Sequence, residues 1–459
     1  MDAKSFTFTS QEGINMCREV LRVLMPHDTH DWQLEAIAHL LDGDDVLLII
    51  ATGSGKTDVF IRLMHVQKYL AANPNCVTGH HFPQDPVMIV ICSTKALEDE
   101  MEKRMQATNL TATAINNDRV NAARQEGRDL FREVCNGVSV VLVSPEQLKS
   151  PKFRNILDDA QFNQRISMMA IDEVHLMNTW GQTFRRDYEQ TGWMRARIGR
   201  RVTVLAVTAT LQAGIPTRRV CEFLGFQDGQ YHVIRRSNMR HDIQLLFRTM
   251  QSGIRGTKFP ELDWILKERH HRVLLLCATI NLDFRADAYL WHNEHGDLAS
   301  RMKRIHMFNA LNWKSYNDEI LALWKEDDPD IQVIIATSIL SVGIDAPRFD
   351  DVDEYWQEIG RIRPRGKQND SRGILYMTQG AEDTARAVLA GPGMNAKQKG
   401  KKSNTQSMTT SMARLILARC KIIELDKLYD NPVNDSPCTC SFCLLHPPLV
   451  HRAKCICSG

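Results

Sequence analysis

The feature that most constrains the fold of this chain is a series of short, continuously apolar runs that alternate with helical patterns. Continuous apolar runs of this length predict strands buried on both faces, as in a parallel sheet that is covered by helices. Five such runs begin at Val46, Val87, Val138, Ser167 and Val202. Three more begin at Arg272, Ile331 and Gly373. The sequence therefore predicts an α/β protein with two parallel-sheet domains.

The two series of runs are separated by a polar and basic segment at residues 234–243, where we place the boundary between the domains. We predict a first α/β domain over residues 1–234 and a second over residues 235–380. Residues 381–459 differ in composition, because they begin near a lysine-rich polar stretch and end in a group of cysteines. They are predicted to form a small helical, zinc-binding module.

The composition fits a globular protein, with 43% hydrophobic and 24% charged residues among 459. The formal net charge of +2 does not indicate a polyanion partner, so any surface for nucleic acid must be local. We expect no membrane span, because no apolar run is long enough. We also expect no secretory segment, because the N-terminal residues lack a basic start followed by an apolar stretch.

The stretch ATGSGKT at residues 51–57 lies between an apolar run and a helical pattern, and it predicts a phosphate-binding loop. Its glycines let backbone N–H groups point at phosphate oxygens, while Lys56 can reach the β- and γ-phosphates and the Thr57 hydroxyl can bind magnesium. The predicted nucleotide contacts are Thr52, Gly53, Ser54, Gly55, Lys56 and Thr57. The usual motif has its first glycine where Ile50 stands here, and the alternative is a flexible glycine loop at a helix start.

Two adjacent acids, Asp172 and Glu173, follow the apolar run that begins at Ser167. In nucleotide hydrolysis one carboxylate holds magnesium near the phosphates, and a second orients or deprotonates the attacking water. Adjacent residues at a strand end point in different directions, so the pair can serve both roles. We predict that Asp172 binds magnesium beside Thr57. Alone, such a pair usually only begins a solvated loop, but beside a phosphate loop it favours ATP hydrolysis.

The chain from about Trp32 to Cys443 resembles the RecQ DNA helicases of superfamily two. RecQ proteins follow their acidic pair with an aromatic-rich loop, and the matching residues here are Trp180, Gly181, Phe184, Arg185 and Tyr188. Further matches are Gln33 and residues 92–100, 143–148, 208–210, 235–240, 334–345 and 357–361. The order of the motifs is that of the family.

The resemblance implies two RecA-like domains that bind ATP and magnesium, with 3′-to-5′ translocation on single-stranded DNA and unwinding of forked DNA. It implies that Gln33 reads adenine and that His175, with residues 208–210, couples hydrolysis to DNA contact. It assigns Gly343 and Asp345 to the nucleotide, and Arg361 to catalysis.

The DNA contacts that the resemblance implies are Thr94, Trp180, Phe184 and Arg185. Aromatic faces stack on bases, and Arg185 with Arg186 can meet phosphates. The alternative is that the two aromatic residues belong to the core of a surface loop.

Six of the twelve cysteines lie within the last 40 residues, at Cys420, Cys438, Cys440, Cys443, Cys455 and Cys457. Closely spaced cysteines are typical of structural zinc sites, and RecQ proteins carry a zinc-binding helical domain at this place. The predicted zinc ligands are Cys420, Cys438, Cys440 and Cys443. Nearby substitutes are the last two cysteines, His446 and His451, and the alternative is unpaired cysteines in a disordered tail. The six scattered cysteines are expected to be buried thiols of an intracellular protein.

The chain departs from the RecQ pattern at three places. The distance from Gly343 to Gln357 is only 14 residues, which is short for the family. Pro364 stands where the family has a second arginine, with Arg363 and Arg365 beside it, and a proline cannot stabilise charge on the transferred phosphoryl group. His30 stands three residues before Gln33, where an arginine is common.

These departures keep a second hypothesis open, a degenerate RecQ-like protein that binds nucleotide and DNA without unwinding. A third hypothesis is an RNA helicase of the same superfamily, which the aromatic loop and the cysteines disfavour. We expect a nuclear location, with residues 397–402 as a weak import signal or a solvated loop. Protein partners are not predicted.

Overall fold

The computed structural model describes residues 6–179, 190–198, 202–326, 328, 330–337, 352–360, 362, 371–391 and 408–447. These residues form two compact units. The first consists of the described parts of Met1–Arg240 and Asp426–His451, and the second of those of His241–Leu425. Residues 426–447, which we predicted to belong to a separate C-terminal module, therefore group with the first unit.

The first unit is built on a seven-stranded sheet with the order β3-β4-β2-β5-β6-β1-β7, in which every pair of neighbours is parallel. Its strands are β1 (Asp45–Ile49), β2 (Val87–Ile91), β3 (Ala112–Ile115), β4 (Val140–Val143), β5 (Ile166–Ile171), β6 (Thr203–Thr208) and β7 (Tyr231–Arg235). The predicted α/β fold class with parallel strands is confirmed. The five predicted runs are the inner strands, whereas β3 and β7 at the two edges were missed because edge strands are less continuously apolar.

The inner strands are apolar throughout because both faces of the sheet are covered. Along β1, Val46 and Leu48 pack into one hydrophobic cluster, and Leu47 and Ile49 pack into the cluster on the opposite face. Successive side chains of a strand point to opposite faces, so a sheet between two helical layers needs apolar residues at every position.

The helices of the first unit cover the sheet. They are α1 (Gln11–Leu24), α2 (Asp31–Asp42), α3 (Lys56–Ala72), α4 (Lys95–Gln106), α5 (Asn117–Gln125), α6 (Leu130–Val134), α7 (Pro151–Asp158), α8 (Ala160–Arg165), α9 (Leu176–Thr179), α10 (Gln190–Arg197) and α11 (Ile215–Leu224). Local sequence signals set both ends of α1. Ser10 caps it by accepting from the N–H of Gly13, and it ends before Met25, whose extended backbone is the conformation that the following proline favours.

The second unit contains two smaller parallel sheets, with the orders β10-β11-β9 and β12-β8. Their strands are β8 (Ile243–Thr249), β9 (Val273–Cys277), β10 (Ile305–Phe308), β11 (Val333–Thr337) and β12 (Ser371–Met377). The runs predicted from Arg272, Ile331 and Gly373 are β9, β11 and β12. Strands β8 and β10 were missed, because polar residues such as Gln244 and His306 interrupt them.

The helices of the second unit are α12 (Asp263–Lys267), α13 (Ile280–Asn293), α14 (Leu298–Arg304), α15 (Lys314–Lys325), α16 (Val352–Ile359), α17 (Ala381–Ala390) and α18 (Thr410–Leu417). Helix α19 (Lys421–Tyr429) leads back to the first unit, which also contains α20 (Ser441–Leu445). The extended backbone of Ala418 separates α18 from α19. Lys421 stabilises this break by donating to the carbonyl oxygens of Ile416 and Ala418, at 2.6 Å and 2.9 Å. No helix of the described residues is long and apolar enough to cross a membrane.

Candidate nucleotide-binding site

The candidate site lies at one edge of the seven-stranded sheet. Strands β2, β5, β6 and β1 are consecutive neighbours and run parallel, so their carboxyl ends meet at the same edge. The phosphate loop follows β1, Thr94 lies just beyond β2, and Asp172 directly follows β5. In open α/β sheets this edge is where ligands bind. The sheet therefore brings together predicted site residues that are far apart in sequence.

The phosphate loop connects β1 to α3. Gly53 and Gly55 have φ values of 84° and 90°, in the left-handed region that glycine adopts without strain. Lys56 opens α3, and its Nζ lies 3.4 Å from the carbonyl oxygens of both Ile50 and Ala51. The ammonium group is thus folded back over the loop, at a helix N-terminus whose free N–H groups favour an anion.

Gln33 on α2 contacts the phosphate loop directly. Its Nε2 donates to the carbonyl oxygen of Gly55 at 3.1 Å, and its Oε1 accepts from the backbone N–H of His30 at 3.0 Å. The side chain is buried, so both ends of its amide are fixed. A Cβ on residue 55 would lie 3.3 Å from this Nε2, which is a second reason for glycine there. The predicted adenine-reading residue is therefore bonded to the loop that is predicted to hold the phosphates.

Asp172 is buried at the end of β5, and its Oδ1 accepts from the N–H of Glu173 at 2.9 Å. Burial raises the pKa of Asp172 to about 7, with a further rise from the neighbouring Glu173 carboxylate and an opposing effect of Lys56. A buried carboxylate with so high a pKa gains by binding a cation, because the cation replaces the proton. This environment suits the predicted magnesium ligand.

Glu173 adopts φ = 50°, which is rare for a residue with a side chain. Its Oε2 lies 3.2 Å from Nδ1 of the buried His175. The same Nδ1 lies 2.8 Å from Oγ1 of Thr208 at the end of β6, and this hydroxyl accepts from the N–H of Thr210 at 3.2 Å. A continuous set of polar contacts thus joins the acidic pair to residues 208–210, the segment predicted to couple hydrolysis to DNA contact.

Thr94 precedes α4 and caps it, because its hydroxyl accepts from the N–H of Leu97 at 3.3 Å. The aromatic loop residues Trp180, Gly181, Phe184, Arg185, Arg186 and Tyr188 lie outside the described residues. So do Gly343, Asp345, Arg361, Arg363, Pro364 and Arg365 of the second unit, residues 397–402, His451, Cys455 and Cys457. The predictions for these residues remain predictions.

The structure brings three of the four predicted zinc ligands together and places beside them a histidine that was not among the predicted ligands. Cys438, Cys440 and Cys443 form a group with His30, and Cys420 is not part of it. His30 Nδ1 lies 3.7 Å from Sγ of Cys438, 3.2 Å from that of Cys440 and 3.4 Å from that of Cys443. The one sequence feature that pointed to His30 was its departure from the arginine that RecQ proteins favour.

The segment that carries these cysteines is attached to the first unit by residues 235–240, one of the matching motifs. Arg235 donates to the carbonyl oxygen of Tyr429 at 2.6 Å, and Arg236 donates to that of Ser436 at 3.0 Å. The N–H of Ser237 donates to Asp435 at 2.8 Å. The motif therefore holds the C-terminal segment against the first sheet.

Residues 30–216 match the family model of the DEAD/DEAH box helicases. The probable ATP-dependent DNA helicase RecS of Bacillus subtilis is 24% identical over 376 residues, covering 80% of this chain and 67% of RecS. RecQ-like DNA helicase BLM of Xenopus laevis is 23% identical, covering 73% of this chain and 23% of BLM. ATP-dependent DNA helicase RecQ of Haemophilus influenzae is 22% identical, covering 72% of this chain and 48% of that protein. The chain thus spans less than half of the last two relatives.

Solved helicase structures share the fold. The DUF1998 helicase MrfA bound to DNA superposes with a TM-score of 0.57 at 13% identity, over 82% of this chain and 52% of that one. Mss116p bound to single-stranded RNA and AMP-PNP gives a TM-score of 0.57 at 15% identity, over 85% and 78%. The predicted resemblance to RecQ-type helicases and the predicted fold class are confirmed.

Proposed function

We propose that this chain, which carries a DEAD/DEAH box helicase domain at residues 30–216 and is similar to RecQ-type DNA helicases, is an ATP-dependent DNA helicase. The observation that carries the proposal is the arrangement of the sheet edge. Gln33 is hydrogen-bonded to the phosphate loop, and an acidic pair with a buried Asp172 contacts residues 208–210 through His175, all at the same edge of the sheet. The names of the relatives favour DNA over RNA.

For ATP binding, Gln33 would meet the adenine while Lys56 and the backbone N–H groups of residues 52–57 hold the phosphates. Thr57 and Asp172 would hold the magnesium ion, which neutralises charge on the phosphate oxygens when it is bound. Asp172 fits this role because it is buried and because its raised pKa reports an unbalanced carboxylate.

For hydrolysis, Glu173 would orient the attacking water and accept its proton. The contact with His175 limits where the Glu173 carboxylate can lie, and the contact of His175 with Thr208 transmits a shift of residues 208–210 to that carboxylate. A single-stranded DNA that displaced those residues would therefore change the rate of hydrolysis. In this way DNA binding would be coupled to ATP hydrolysis.

On the DNA side we propose that Trp180 and Phe184 stack on bases, that Arg185 meets phosphate, and that Thr94 contacts the strand. Movement from 3′ to 5′ and the use of forked DNA follow from the likeness to RecQ-type helicases, as does the action of Gly343, Asp345 and Arg361 on the nucleotide. Zinc is the proposed structural cofactor of the C-terminal cysteines.

The test is ATP hydrolysis with single-stranded DNA, with RNA and without nucleic acid, beside displacement of one strand from a forked duplex. A helicase of the proposed kind shows DNA-stimulated hydrolysis and strand displacement. Pro364 favours one alternative, in which the chain binds nucleotide and DNA but does not unwind. In that case binding of both ligands would be retained and no strand would be displaced. Stimulation by RNA alone would contradict the proposed substrate.

A further inference from the structure

We propose that His30 is the fourth ligand of a zinc ion bound by Cys438, Cys440 and Cys443, and that this ion controls ATP affinity through Gln33. The second part rests on the proposed function, since it concerns the same nucleotide site. The metal would then do more than stabilise a C-terminal segment. It would connect that segment to the residue that meets the adenine.

The donor atoms fit zinc in kind and in spacing. Three thiolates and one imidazole nitrogen are a common tetrahedral set, and bond lengths of about 2.3 Å to sulfur and about 2.05 Å to nitrogen place sulfur and nitrogen about 3.6 Å apart. The observed Nδ1–Sγ distances are 3.2, 3.4 and 3.7 Å, and all four donor atoms lie within 4.8 Å of one another. All four residues belong to the first unit.

The ring of His30 is held in place from two sides. Trp32 stacks on it with ring centroids 5.8 Å apart and planes 14° apart, and Phe442 meets it edge-on at 6.0 Å. The residues just before it are fixed by the buried Arg62, which donates to Oγ1 of Thr29 at 2.7 Å. The imidazole is therefore already turned toward the sulfurs, which lowers the cost of ordering it around a metal.

The cysteine segment also bonds to the start of α2 without a metal. The N–H and hydroxyl of Thr439 donate to Oδ2 of Asp31 at 2.6 Å and 2.9 Å, and the N–H of Ser441 donates to Asp28 at 3.0 Å. These groups are exposed to water, where such bonds contribute little net free energy. Metal binding is the stronger link, since the free energy of binding zinc goes into folding of the segment that supplies the ligands.

The path from the metal to the nucleotide runs through two residues, His30 and Gln33. The backbone N–H of His30 donates to Oε1 of Gln33, which orients the amide so that Nε2 reaches the carbonyl oxygen of Gly55. Fixing His30 by a metal therefore fixes the amide of Gln33. Without the metal, we expect residue 30 to leave this conformation more often, so that the bond to Oε1 forms for less of the time and the amide is less well oriented for ATP.

The ligand set is tested by the zinc content of purified variants, measured by mass spectrometry. We expect about one zinc per chain in the wild type, in Cys420→Ser and in His30→Cys, because a fourth thiolate replaces the imidazole. Zinc should be lost in His30→Ala and Cys440→Ser. Loss of zinc in Cys420→Ser with retention in His30→Ala would overturn the assignment in favour of the four-cysteine set.

The coupling is tested by the affinity of the full chain for ATP and for inorganic tripolyphosphate, before and after removal of zinc with a chelator. Losing one oriented hydrogen bond corresponds to a loss of roughly tenfold in ATP affinity. Tripolyphosphate affinity should change less than twofold, since it has no adenine and reports that the phosphate loop is folded. Equal losses for both ligands would overturn the coupling through Gln33.

A matched control is Gln33→Ala, which removes the proposed connection and leaves the zinc ligands intact. It should bind zinc normally, bind ATP more weakly, and show no further loss of ATP affinity on chelation. An unchanged effect of chelation in this variant would refute the path. If the zinc-loaded wild type binds neither ATP nor tripolyphosphate, the proposed function is refuted. If it binds ATP normally and chelation does not change its ATP affinity, only the coupling between zinc and ATP is refuted.

Discussion

The sheet edge and the cysteine group are both built from residues distant in sequence, but they are organised in different ways. At the sheet edge the backbone positions the polar residues. Neighbouring parallel strands end at the same edge, and the polar residues that follow each strand therefore lie together there. In the cysteine group side chains meet across more than 400 residues, from His30 to Cys443, with no shared strand or helix to fix their positions. We therefore expect order at the edge to precede the ligand, and order in the cysteine group to depend more strongly on the proposed zinc ion.

This comparison predicts that substitutions at the sheet edge destroy activity without unfolding the protein. Lys56→Ala removes the cation that we propose binds the β- and γ-phosphates, and we expect hydrolysis to fall on the order of 10³-fold. The circular dichroism spectrum and the melting temperature should stay close to those of the wild type, because Lys56 contributes only weak contacts to the loop. Wild-type turnover in this variant would refute the site, and loss of the fold would refute the distinction between the two regions.

The second prediction separates binding from hydrolysis within the same edge. Glu173→Gln keeps the shape of the side chain but cannot accept a proton, and we expect hydrolysis to fall roughly 10²- to 10⁴-fold. ATP affinity, measured by titration with magnesium present, should change less than threefold because the phosphate loop is untouched. If affinity and hydrolysis fall together, Glu173 binds the nucleotide and is not the base.

The sequence predicts the sheet edge better than the cysteine group, because the edge depends on local patterns and the cysteine group on contacts between distant side chains. The phosphate loop and the acidic pair could be predicted because each depends on a local pattern in a strand–loop context, and the strand order then places Asp172 and Lys56 at the same edge of the sheet. His30, the proposed fourth ligand, was not predicted, because its departure from the arginine of RecQ proteins does not by itself indicate a metal site. Cys420 was predicted as a ligand because RecQ proteins carry a zinc-binding helical domain at this place, and the apolar pattern gives no sign of the break at Ala418.

The strands of the seven-stranded sheet were also predicted where a local pattern identifies them. Every strand inside the seven-stranded sheet was recognised, since coverage on both faces requires a continuous apolar run. In strand β7 at the edge only Ile234 is buried, and the polar residues of this strand interrupt the apolar pattern. Such edge strands can be placed only once their neighbours are known.

The third prediction tests whether the cysteine group needs its metal more than its hydrogen bonds. Asp31→Ala removes the acceptor of both Thr439 contacts and of Arg18, which lies 2.8 Å away. These groups are partly exposed, so we expect a loss of at most about tenfold in zinc affinity, measured by competition with a chelating dye. A complete loss of zinc would show that the hydrogen bonds assemble the group and that the metal only occupies it.

The smallest expected effect concerns stability at the sheet edge without ATP and magnesium. Burial raises the pKa of Asp172 to about 7, while the carboxyl has its ordinary value of 3.8 in the unfolded chain. Between these two values the unfolded chain has released the proton and the folded chain retains it, so this group lowers the free energy of unfolding as pH rises. Asp172→Asn has no such proton. We expect its melting temperature to exceed that of the wild type by a few degrees at pH 8, and the difference to shrink toward pH 5.

Magnesium and ATP should reverse that order, because the bound cation replaces the proton on Asp172 and stabilises only the wild type. Thermal melts at pH 8, with and without ATP and magnesium, measure both effects on the same two proteins. The buried carboxylate of Asp172 thus lowers the free energy of unfolding when no cation is bound, and we expect this effect only at the sheet edge. Should the asparagine variant melt below the wild type in both conditions, the carboxylate would be part of what holds the edge together, and the edge would be no more pre-formed than the cysteine group.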